Sequence, residues 1–403
     1  MSDARFFHRP ELAGRIASRV MSEDPVSAAA SGLFLSAPRR TGKSTFLRED
    51  LIPELRARGA IVLYADLWKD QKADPGVVIT NVVREALSDR APVLAKLARR
   101  LGIEEAINLG ALKLSPDKLL GAIGLGADIS LADALAALSD EAKRTIVLIV
   151  DEAQHAMTAE NGRAALFALK AARDEINSSA HHGLRIVATG SNQEKLAMLR
   201  NSKDQAFFLA PMATLPHLDQ RFVAWFCNVF HLDETVDPAR IGAIFEKCAF
   251  RPEILMAAME NIRNDFSDVE PSTPLADKIE RQAMQVLRDG IQEQLRIVHS
   301  LTPLQSSVFR VMAVAERDYA PFETQTLEKY RAVLRATAPG ETVNVDAASV
   351  QSALEGLQSK NLVWKEARGI YAIEDRSIRE VLADAGMLDC VPGFSPPAGE
   401  HPT

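Results

Sequence analysis

The chain has little of what would place it among disulfide-stapled, zinc-binding or membrane-spanning proteins. Its three cysteines, Cys227, Cys248 and Cys390, show no CxxC spacing and have no accompanying histidine cluster, so neither disulfides nor a zinc site is predicted. The apolar run at 146–150 is far too short to span a bilayer, and no long apolar segment follows Met1. We therefore expect a soluble protein of the reducing cytoplasm, without a membrane partner.

A surplus of basic residues is also missing. The net charge is −7, which argues against a chain that coats nucleic acid through overall basicity, although a local basic face is compatible with it. Hydrophobic residues make up 47% of the sequence and charged residues 25%, as in ordinary globular proteins. Because 403 residues exceed what one core usually serves, we expect two or three domains.

Short apolar segments alternate with helical patterns in the first half of the chain. Residues 32–36, 61–67, 145–150 and 185–189 have the composition of buried strands, and helical patterns lie between them. Continuous apolar strands that alternate with helices are typical of a parallel sheet covered on both faces. The sequence therefore predicts an α/β core.

A phosphate-binding motif follows the first predicted strand. Such a loop needs a tight turn of backbone N–H groups, a helix N-terminus behind it and one mobile cation. Gly42, Lys43 and Ser44 occupy those positions, and a helical stretch begins at Lys43. Ala37 stands where many such loops carry glycine, and Pro38 lacks an N–H at a position remote from Lys43.

We name residues 37–45 the phosphate loop and predict ATP and Mg²⁺ as its ligands, with the Ser44 hydroxyl on the metal. The predicted nucleotide-binding residues are Ala37, Pro38, Arg39, Arg40, Thr41, Gly42, Lys43, Ser44 and Thr45, together with Arg251.

Two carboxylates follow the third predicted strand. Asp151 and Glu152 come directly after the apolar run 146–150, at the carboxyl end of a strand, where ligands of open α/β sheets collect. We predict that Asp151 orients magnesium-bound water and that Glu152 polarises the attacking water. An acidic pair is also an ordinary helix-start signal, but the phosphate loop favours the catalytic interpretation.

Two further residues are candidates for contacts with the γ-phosphate. Asn192, with Ser191 as second choice, follows the fourth predicted strand and is predicted to orient water or sense that phosphate; the alternative is a simple strand-to-helix turn. Arg251 precedes a helix that begins with Pro252, where an arginine suits a phosphate but is also commonplace at the surface. The predicted catalytic set is Glu152, Lys43, Asn192 and Arg251.

The two Walker motifs resemble those of AAA+-like archaeal-type ATPases, which are relatives of the signal-transduction (STAND) ATPases and of origin-recognition initiators. Residues 38–44, Pro-Arg-Arg-Thr-Gly-Lys-Ser, look like their Walker A motif, and Val-Asp-Glu-Ala-Gln at 150–154 is similar to their Walker B motif. The resemblance covers about residues 6–385 and implies a P-loop NTPase core that switches with ATP.

Three shorter segments extend this resemblance. Residues 7–11 are similar to the family's segment before the first strand, 189–192 to its sensor 1, and 250–255 to its sensor 2 at the lid helix. These ATPases often carry an arginine after sensor 1 that reaches a neighbour's nucleotide. Arg200 is a loose match to that arginine, which makes it a candidate finger.

The second half of the chain has mainly helical patterns. Thr302 and Pro303 form a helix-start signal, and a helix at 346–359 followed by strand patterns around 362–364 and 370–373 predicts a winged helix. Proline and glycine after residue 386 predict a disordered tail. The predicted organisation is an AAA+-like core at 1–214, a helical lid at 215–295, a winged-helix domain at 296–385 and a tail at 386–403.

The predicted winged helix leaves the purpose of the switch open. One interpretation is duplex DNA binding under nucleotide control through Gln351, Lys360, Lys365 and Arg368. However, residues 296–385 contain eleven Lys and Arg against twelve Asp and Glu, and a near-neutral domain weakens this interpretation. The alternatives are a signalling or assembly ATPase whose winged helix binds a protein effector, self-associates or autoinhibits the core, and a non-hydrolysing scaffold.

Overall fold

The computed structural model describes residues 6–22, 24, 31–70, 73–88, 131–158, 160–178, 181–201, 206–232, 236–265, 273–367 and 369–395. The chain divides into two compact units, Met1–Glu253 and Ile254–Thr403. Among the helices described, none combines the length and apolar character that crossing a bilayer requires.

A parallel sheet forms the centre of the first unit. Its strand order is β2-β3-β4-β1-β5, and all the pairings are parallel. The four predicted strands are confirmed; the fifth was missed because three residues at the sheet edge give too short a pattern. The strands are β1 (Leu33–Ser36), β2 (Ile61–Asp66), β3 (Ile146–Asp151), β4 (Leu184–Gly190) and β5 (Met212–Thr214).

Helices cover both faces of the sheet, as the continuous apolar strands predict. These elements are α1 (Pro10–Val20), α2 (Lys43–Phe46), a π-helical turn (Leu47–Leu51), α3 (Ile52–Ala57), α4 (Pro75–Ser88), α5 (Leu131–Ala142), a 3-10 helix (Ala153–Thr158), α6 (Glu160–Ser178), α7 (Gln193–Met198), α8 (Gln220–Val229) and α9 (Pro238–Lys247). Leu148 and Val150 of β3 pack in the core with α4, α5 and α6, whereas Val147 and Ile149 pack with α1, α2 and α3. The strand is therefore buried on both sides.

The N-terminal segment is tied to the helix behind the phosphate loop. His8 Nδ1 lies 2.8 Å from Asp50 Oδ1, and the Arg9 backbone N–H donates to Asp50 Oδ2 over 3.1 Å. Phe7 packs edge-to-face on Phe222 of α8, with ring centroids 5.6 Å apart. Helix α8 is thus fixed to the first unit, and the predicted lid at 215–295 is divided between the two units.

The second unit is helical, with one antiparallel hairpin. Thr302 forms a capping box with Gln305 before α12, and Asp346 accepts a hydrogen bond from the Ser349 N–H before α14, so both predicted helix starts are confirmed. The elements are α10 (Pro252–Arg263), α11 (Leu275–His299), α12 (Pro303–Ala315), a 3-10 helix (Glu316–Asp318), α13 (Thr324–Thr337), α14 (Ala347–Ser359), β6 (Val363–Ala367), β7 (Ile370–Ile373) and α15 (Ile378–Asp384).

The composition after residue 386 predicts disorder, and for the first part of that segment the prediction is wrong. Met387, Leu388 and Val391 are buried in the core of the second unit, and Arg310 Nη1 donates to the Met387 carbonyl over 3.1 Å. These apolar side chains supply enough burial to hold the chain although prolines and glycines surround them. Residues 396–403 lie outside the described part of the chain.

Candidate functional site

The phosphate loop has backbone geometry suited to binding anions. Arg40 and Gly42 adopt left-handed conformations, with φ values of 63° and 83°. The Thr41 hydroxyl donates to the Pro38 carbonyl over 2.7 Å and holds the turn closed. Alternation of left- and right-handed residues ahead of a helix turns successive N–H groups towards one point, which is the arrangement that binds phosphate oxygens.

The side chains of Lys43, Asp151, Glu152 and Thr189 meet at the carboxyl edge of the sheet, where β3 and β4 end. We name these four residues the Lys43 cluster. The Lys43 side chain is only 6% exposed. Its ammonium contacts Asp151 Oδ1, lies 2.8 Å from Glu152 Oε1 and donates to Thr189 Oγ1 over 3.4 Å. Strands that are separate in sequence therefore bring the predicted cation and both predicted carboxylates together.

Asp151 accepts hydrogen bonds at both of its carboxylate oxygens. Lys43 and Thr189 donate to Oδ1, while Ser44 Oγ and Tyr64 Oη donate to Oδ2 over 3.1 Å and 2.8 Å. Burial opposes ionisation, but the charge of Lys43 and these hydrogen bonds outweigh it, so the pKa of Asp151 lies below its ordinary value. Asp151 is an anion in a pocket of donors.

Glu152 is held at both oxygens but by different partners. Oε1 faces Lys43, whereas Oε2 accepts from Gln154 Nε2 over 2.5 Å and from the N–H and hydroxyl of Ser191 over 3.1 Å and 2.8 Å. Burial acts against its charge, yet Lys43 and the donors from Gln154 and Ser191 prevail and lower the pKa of Glu152. Its backbone is left-handed, with φ of 53°.

The oxygen atoms around Ser44 fit a magnesium ion. Ser44 Oγ and Asp151 Oδ2 lie 3.1 Å apart, and both are hard oxygen donors of the kind that Mg²⁺ prefers. No group of three or more His, Cys, Asp or Glu side chains that could hold a metal occurs among the residues described. Magnesium sites commonly combine one or two protein oxygens with substrate phosphates and water.

The two polar residues after β4 have different roles. Ser191 contacts Glu152, as given above, whereas Asn192 caps α7: its Oδ1 accepts from the N–H groups of Glu194 and Lys195, both over 3.0 Å. Ser191, the second choice from the sequence, therefore contacts the Lys43 cluster through Glu152. Asn192, the first choice, caps the helix, as expected if it belongs to a simple strand-to-helix turn.

The predicted arginines lie in three different surroundings. Arg251 Nε pairs with Glu253 Oε1 over 2.7 Å, beside the division between the units, and Arg200 Nε donates to the Ala210 carbonyl. Arg39, which is exposed in the phosphate loop, donates through Nε to Ser191 Oγ over 3.4 Å. Of these three contacts, only the one made by Arg39 is with a residue that touches the Lys43 cluster, because Ser191 donates to Glu152.

Two of the predicted DNA-contacting residues, Gln351 and Lys365, contact the same tyrosine in the second unit. Gln351 Nε2 donates to Glu355 Oε1 over 2.8 Å, and its own Oε1 accepts from Tyr371 Oη over 3.1 Å. Lys365 Nζ lies over the Tyr371 ring, 5.8 Å from its centroid. Through its hydrogen bond to Gln351, this tyrosine links the hairpin to α14. Lys360 is exposed at the end of α14, and Arg368 lies outside the described residues.

Two residues of the site were missed from the sequence. Tyr64 reaches Asp151 from the neighbouring strand β2, and Gln154 reaches back to Glu152 from the 3-10 helix. Tyr64 gave no local signal, because its role depends on which strand pairs with β3. Gln154 was part of the Walker B resemblance, so its position two residues after Glu152 was the available signal.

Comparisons with known proteins identify the fold. No family model matches the sequence, and no curated protein sequence matches it either. The Aeropyrum pernix ORC2 protein in its ADP form is 14% identical, with 96% of this chain and 98% of that chain covered at a TM-score of 0.55. The chain therefore has an α/β P-loop fold similar to that of this ORC2 protein.

Two other solved structures are similar at lower TM-scores. The Aeropyrum pernix ORC1 protein in complex with DNA is 15% identical, covers 95% of this chain and 94% of its own, and has a TM-score of 0.44. AMPPCP-bound DnaA from Aquifex aeolicus is 11% identical over 96% of both chains, with a TM-score of 0.38.

Proposed function

We propose that this protein is an ATP-binding and ATP-hydrolysing switch. The observation that carries the proposal is the Lys43 cluster, in which the loop lysine contacts Asp151 and lies 2.8 Å from Glu152 Oε1 at the carboxyl edge of the sheet. Structural cores seldom bury a lysine with two carboxylates beside a turn of N–H groups, because desolvation is costly. The similarity in fold to an ORC2 protein described in an ADP form is in keeping with it.

Binding follows from the chemistry of the loop. Its N–H groups donate hydrogen bonds to the phosphate chain, and Lys43 exchanges its carboxylate contacts for phosphate oxygens. This exchange releases Glu152 Oε1, while Oε2 keeps its hydrogen bonds from Gln154 and Ser191. Mg²⁺, held by Ser44 and Asp151, would neutralise charge on the β- and γ-phosphates when bound.

Hydrolysis then needs one proton acceptor and one leaving group. Glu152 Oε1 takes a proton from water as the water oxygen bonds to the γ-phosphorus. The bond from that phosphorus to the β–γ bridging oxygen breaks, and ADP leaves with the electron pair. After Lys43 has moved to the phosphates, the hydrogen bonds from Gln154 and Ser191 still favour the ionised form of Glu152, which accepts this proton.

Two variants separate binding from chemistry. Lys43→Ala should abolish MgATP binding in calorimetric titration, whereas Glu152→Gln should bind MgATP and release phosphate at a much lower rate. Glu54→Gln, on the exposed side of α3, changes a carboxylate in the same way and should behave as wild type. A fully active Glu152→Gln protein would exclude Glu152 as the base.

We further propose that the second unit contains a winged helix that binds duplex DNA under nucleotide control. The proposal is supported by the order α12, α13, α14 and then the β6–β7 hairpin, which would make α14 the recognition helix and Lys365 a residue of the wing. Gln351, Lys360 and Arg368 complete the proposed contacts.

Mobility of duplex DNA with the Glu152→Gln protein tests this proposal, with and without MgATP. Retardation that depends on ATP and weakens with salt supports DNA binding. Lys365→Glu combined with Arg368→Glu should remove it. Arg281→Glu combined with Arg288→Glu changes the charge equally on the exposed surface of α11 and should not.

One observation favours the second candidate, a protein partner or self-association. Glu355 is exposed on α14 and accepts the hydrogen bond from Gln351, which places a carboxylate beside a proposed base-contacting residue. A carboxylate facing phosphates disfavours DNA. If no retardation occurs at low salt and the mass in solution changes with nucleotide, the protein-binding proposal replaces the DNA-binding one.

A further inference from the structure

Arg39 lies at the end of a chain of contacts that leads to the proposed catalytic base. Its Nε donates to Ser191 Oγ over 3.4 Å, and that hydroxyl donates to Glu152 Oε2 over 2.8 Å. The other oxygen of Glu152 is 2.8 Å from Lys43 Nζ. A guanidinium from the phosphate loop is therefore two contacts away from the base and three from the loop lysine.

An aromatic side chain supports this guanidinium from below. Arg39 Cζ lies over the Trp68 ring, 5.0 Å from its centroid, and Trp68 in turn packs against the His155 ring at 4.5 Å. The Trp68 backbone N–H donates to Asp66 Oδ1 over 3.0 Å, which holds the backbone of Trp68 directly after β2. Stacking on an aromatic face orients a guanidinium.

The other two candidate arginines contact residues that do not touch the Lys43 cluster. Arg200 Nε donates to a backbone carbonyl ten residues further on, and Arg251 pairs with Glu253. Phosphoryl transfer places negative charge on the γ-phosphate oxygens and on the bridging oxygen that leaves, and an arginine commonly compensates it. Among the three, Arg39 is the one attached to the loop that would hold those phosphates.

We infer that Arg39 is a catalytic residue, supplied by the same chain that binds the nucleotide, whose guanidinium compensates charge on the γ-phosphate during hydrolysis. Trp68 is the residue that positions it. The inference rests on the proposed ATPase function and adds to it that one chain holds the complete set of catalytic charges. Hydrolysis then requires no arginine from a neighbouring subunit.

The first test compares Arg39→Ala and Arg39→Lys with Arg56→Ala, an exposed arginine of α3. Arg39→Ala should lower kcat by about 10³-fold. Its affinity for MgADP should stay within about threefold of wild type, because the charge is compensated mainly in the transition state. Arg39→Lys should be intermediate, since it keeps the charge but loses the planar fork. The wild-type rate per molecule should not change with protein concentration.

The role of Trp68 is tested in the same way, by measuring the effect of a substitution on kcat and on KM separately. Trp68→Ala should lower kcat by about tenfold with little change in KM, and Trp68→Phe should recover part of the loss because it restores an aromatic face.

Several outcomes would overturn the inference. An unchanged kcat in Arg39→Ala would do so. A loss of MgADP affinity together with kcat would make Arg39 a binding residue. Activity restored by mixing Arg39→Ala with Lys43→Ala protein would show that the arginine acts from a neighbour. A wild type that binds MgATP but hydrolyses none of it at any concentration would refute catalysis in one chain, whereas a wild type that binds no nucleotide would refute the proposed function itself.

Discussion

Gln154 donates a hydrogen bond from Nε2 to Glu152 Oε2 over 2.5 Å, while its own Oε1 is buried without a hydrogen-bond partner among the described residues. The side chain is 4% exposed. An unpaired buried carbonyl oxygen costs free energy of folding, so this glutamine is retained at an energetic disadvantage. Holding Glu152 in place is the benefit that we propose for it.

Gln154→Met tests this balance. Methionine keeps the length of the side chain but donates nothing to Glu152, and the hydrogen bond from Gln154 is one of the causes that lower the pKa of Glu152. We therefore expect the acid limb of the kcat profile to move to higher pH. Thermal stability should not fall, because the unpaired oxygen is removed as well. An unchanged pH profile would mean that Gln154 does not control Glu152.

Gly190→Ala disturbs the same glutamine from the other side. A Cβ at residue 190 would overlap Gln154 Oε1 and lie 3.2 Å from Leu196 Cδ1. The displaced glutamine should release Glu152, so kcat should fall, and unfolding should become easier by about 1–3 kcal/mol. Gly290→Ala, where a Cβ meets nothing within 4 Å in α11, should instead stabilise by about 0.5–1 kcal/mol. Equal stability changes for both variants would argue against the overlap.

Tyr64→Phe should raise the Mg²⁺ concentration that hydrolysis requires. The phenol donates to Asp151 Oδ2, and burial together with the Asp151 charge raises the pKa of Tyr64, which keeps the donor protonated. Without it, Asp151 is held less firmly, and half-maximal hydrolysis should need about tenfold more Mg²⁺. Saturating Mg²⁺ should restore the rate of hydrolysis. Tyr371→Phe in the second unit should need the same Mg²⁺ concentration as wild type. A Mg²⁺ requirement that stays the same would remove Tyr64 from the site.

Lys43→Ala should change the pH dependence of stability. Asp151 and Glu152 have pKa values below the ordinary 3.8 and 4.5, so their stabilising contribution is present above those values and is lost as the pH falls through the folded-state pKa. Without the lysine, the largest of the causes that lower the two pKa values is lost while burial still raises them, so both pKa values should rise. The variant should then be less stable by about 3–5 kcal/mol at pH 7, and the gap should narrow towards pH 5.

Urea unfolding of both proteins at pH 7 and pH 5 measures this gap. Lys247→Ala, which removes an exposed lysine at the end of α9, serves as the control and should show no pH-dependent gap. A constant difference between Lys43→Ala and wild type at the two pH values would mean that Lys43 does not neutralise the carboxylates.

The sequence was sufficient wherever the signal was local. The strand before residues 37–45 and the helix after them, the strand that ends at Asp151 and the helix capped by Thr302 were each predicted from a local pattern, and the structure has these elements where they were expected. The three-domain boundaries at 214 and 295 stay predictions, since they depend on packing between helices that no local pattern encodes.

The rest of the site depended on strand order and on the direction of single side chains. Tyr64 becomes a neighbour of Asp151 only because β2 pairs with β3, which the amino-acid pattern does not specify. Thr189 in β4 contacts Asp151, and Ser191, directly after β4, contacts Glu152, whereas Asn192 caps the next helix. The strong preference of asparagine for helix N-caps was the signal that would have favoured Ser191.

The contacts of Lys43 also determine the order in which nucleotide can bind. Because Asp151 and Glu152 hold its ammonium, an arriving phosphate chain meets the N–H groups of the loop first and receives the lysine afterwards. Association should accordingly proceed in two kinetic phases, and the observed rate should level off at high MgATP concentration instead of rising with it. The maximal observed rate would then measure how quickly Lys43 exchanges its carboxylate partners for phosphate, and diffusion would no longer limit nucleotide binding.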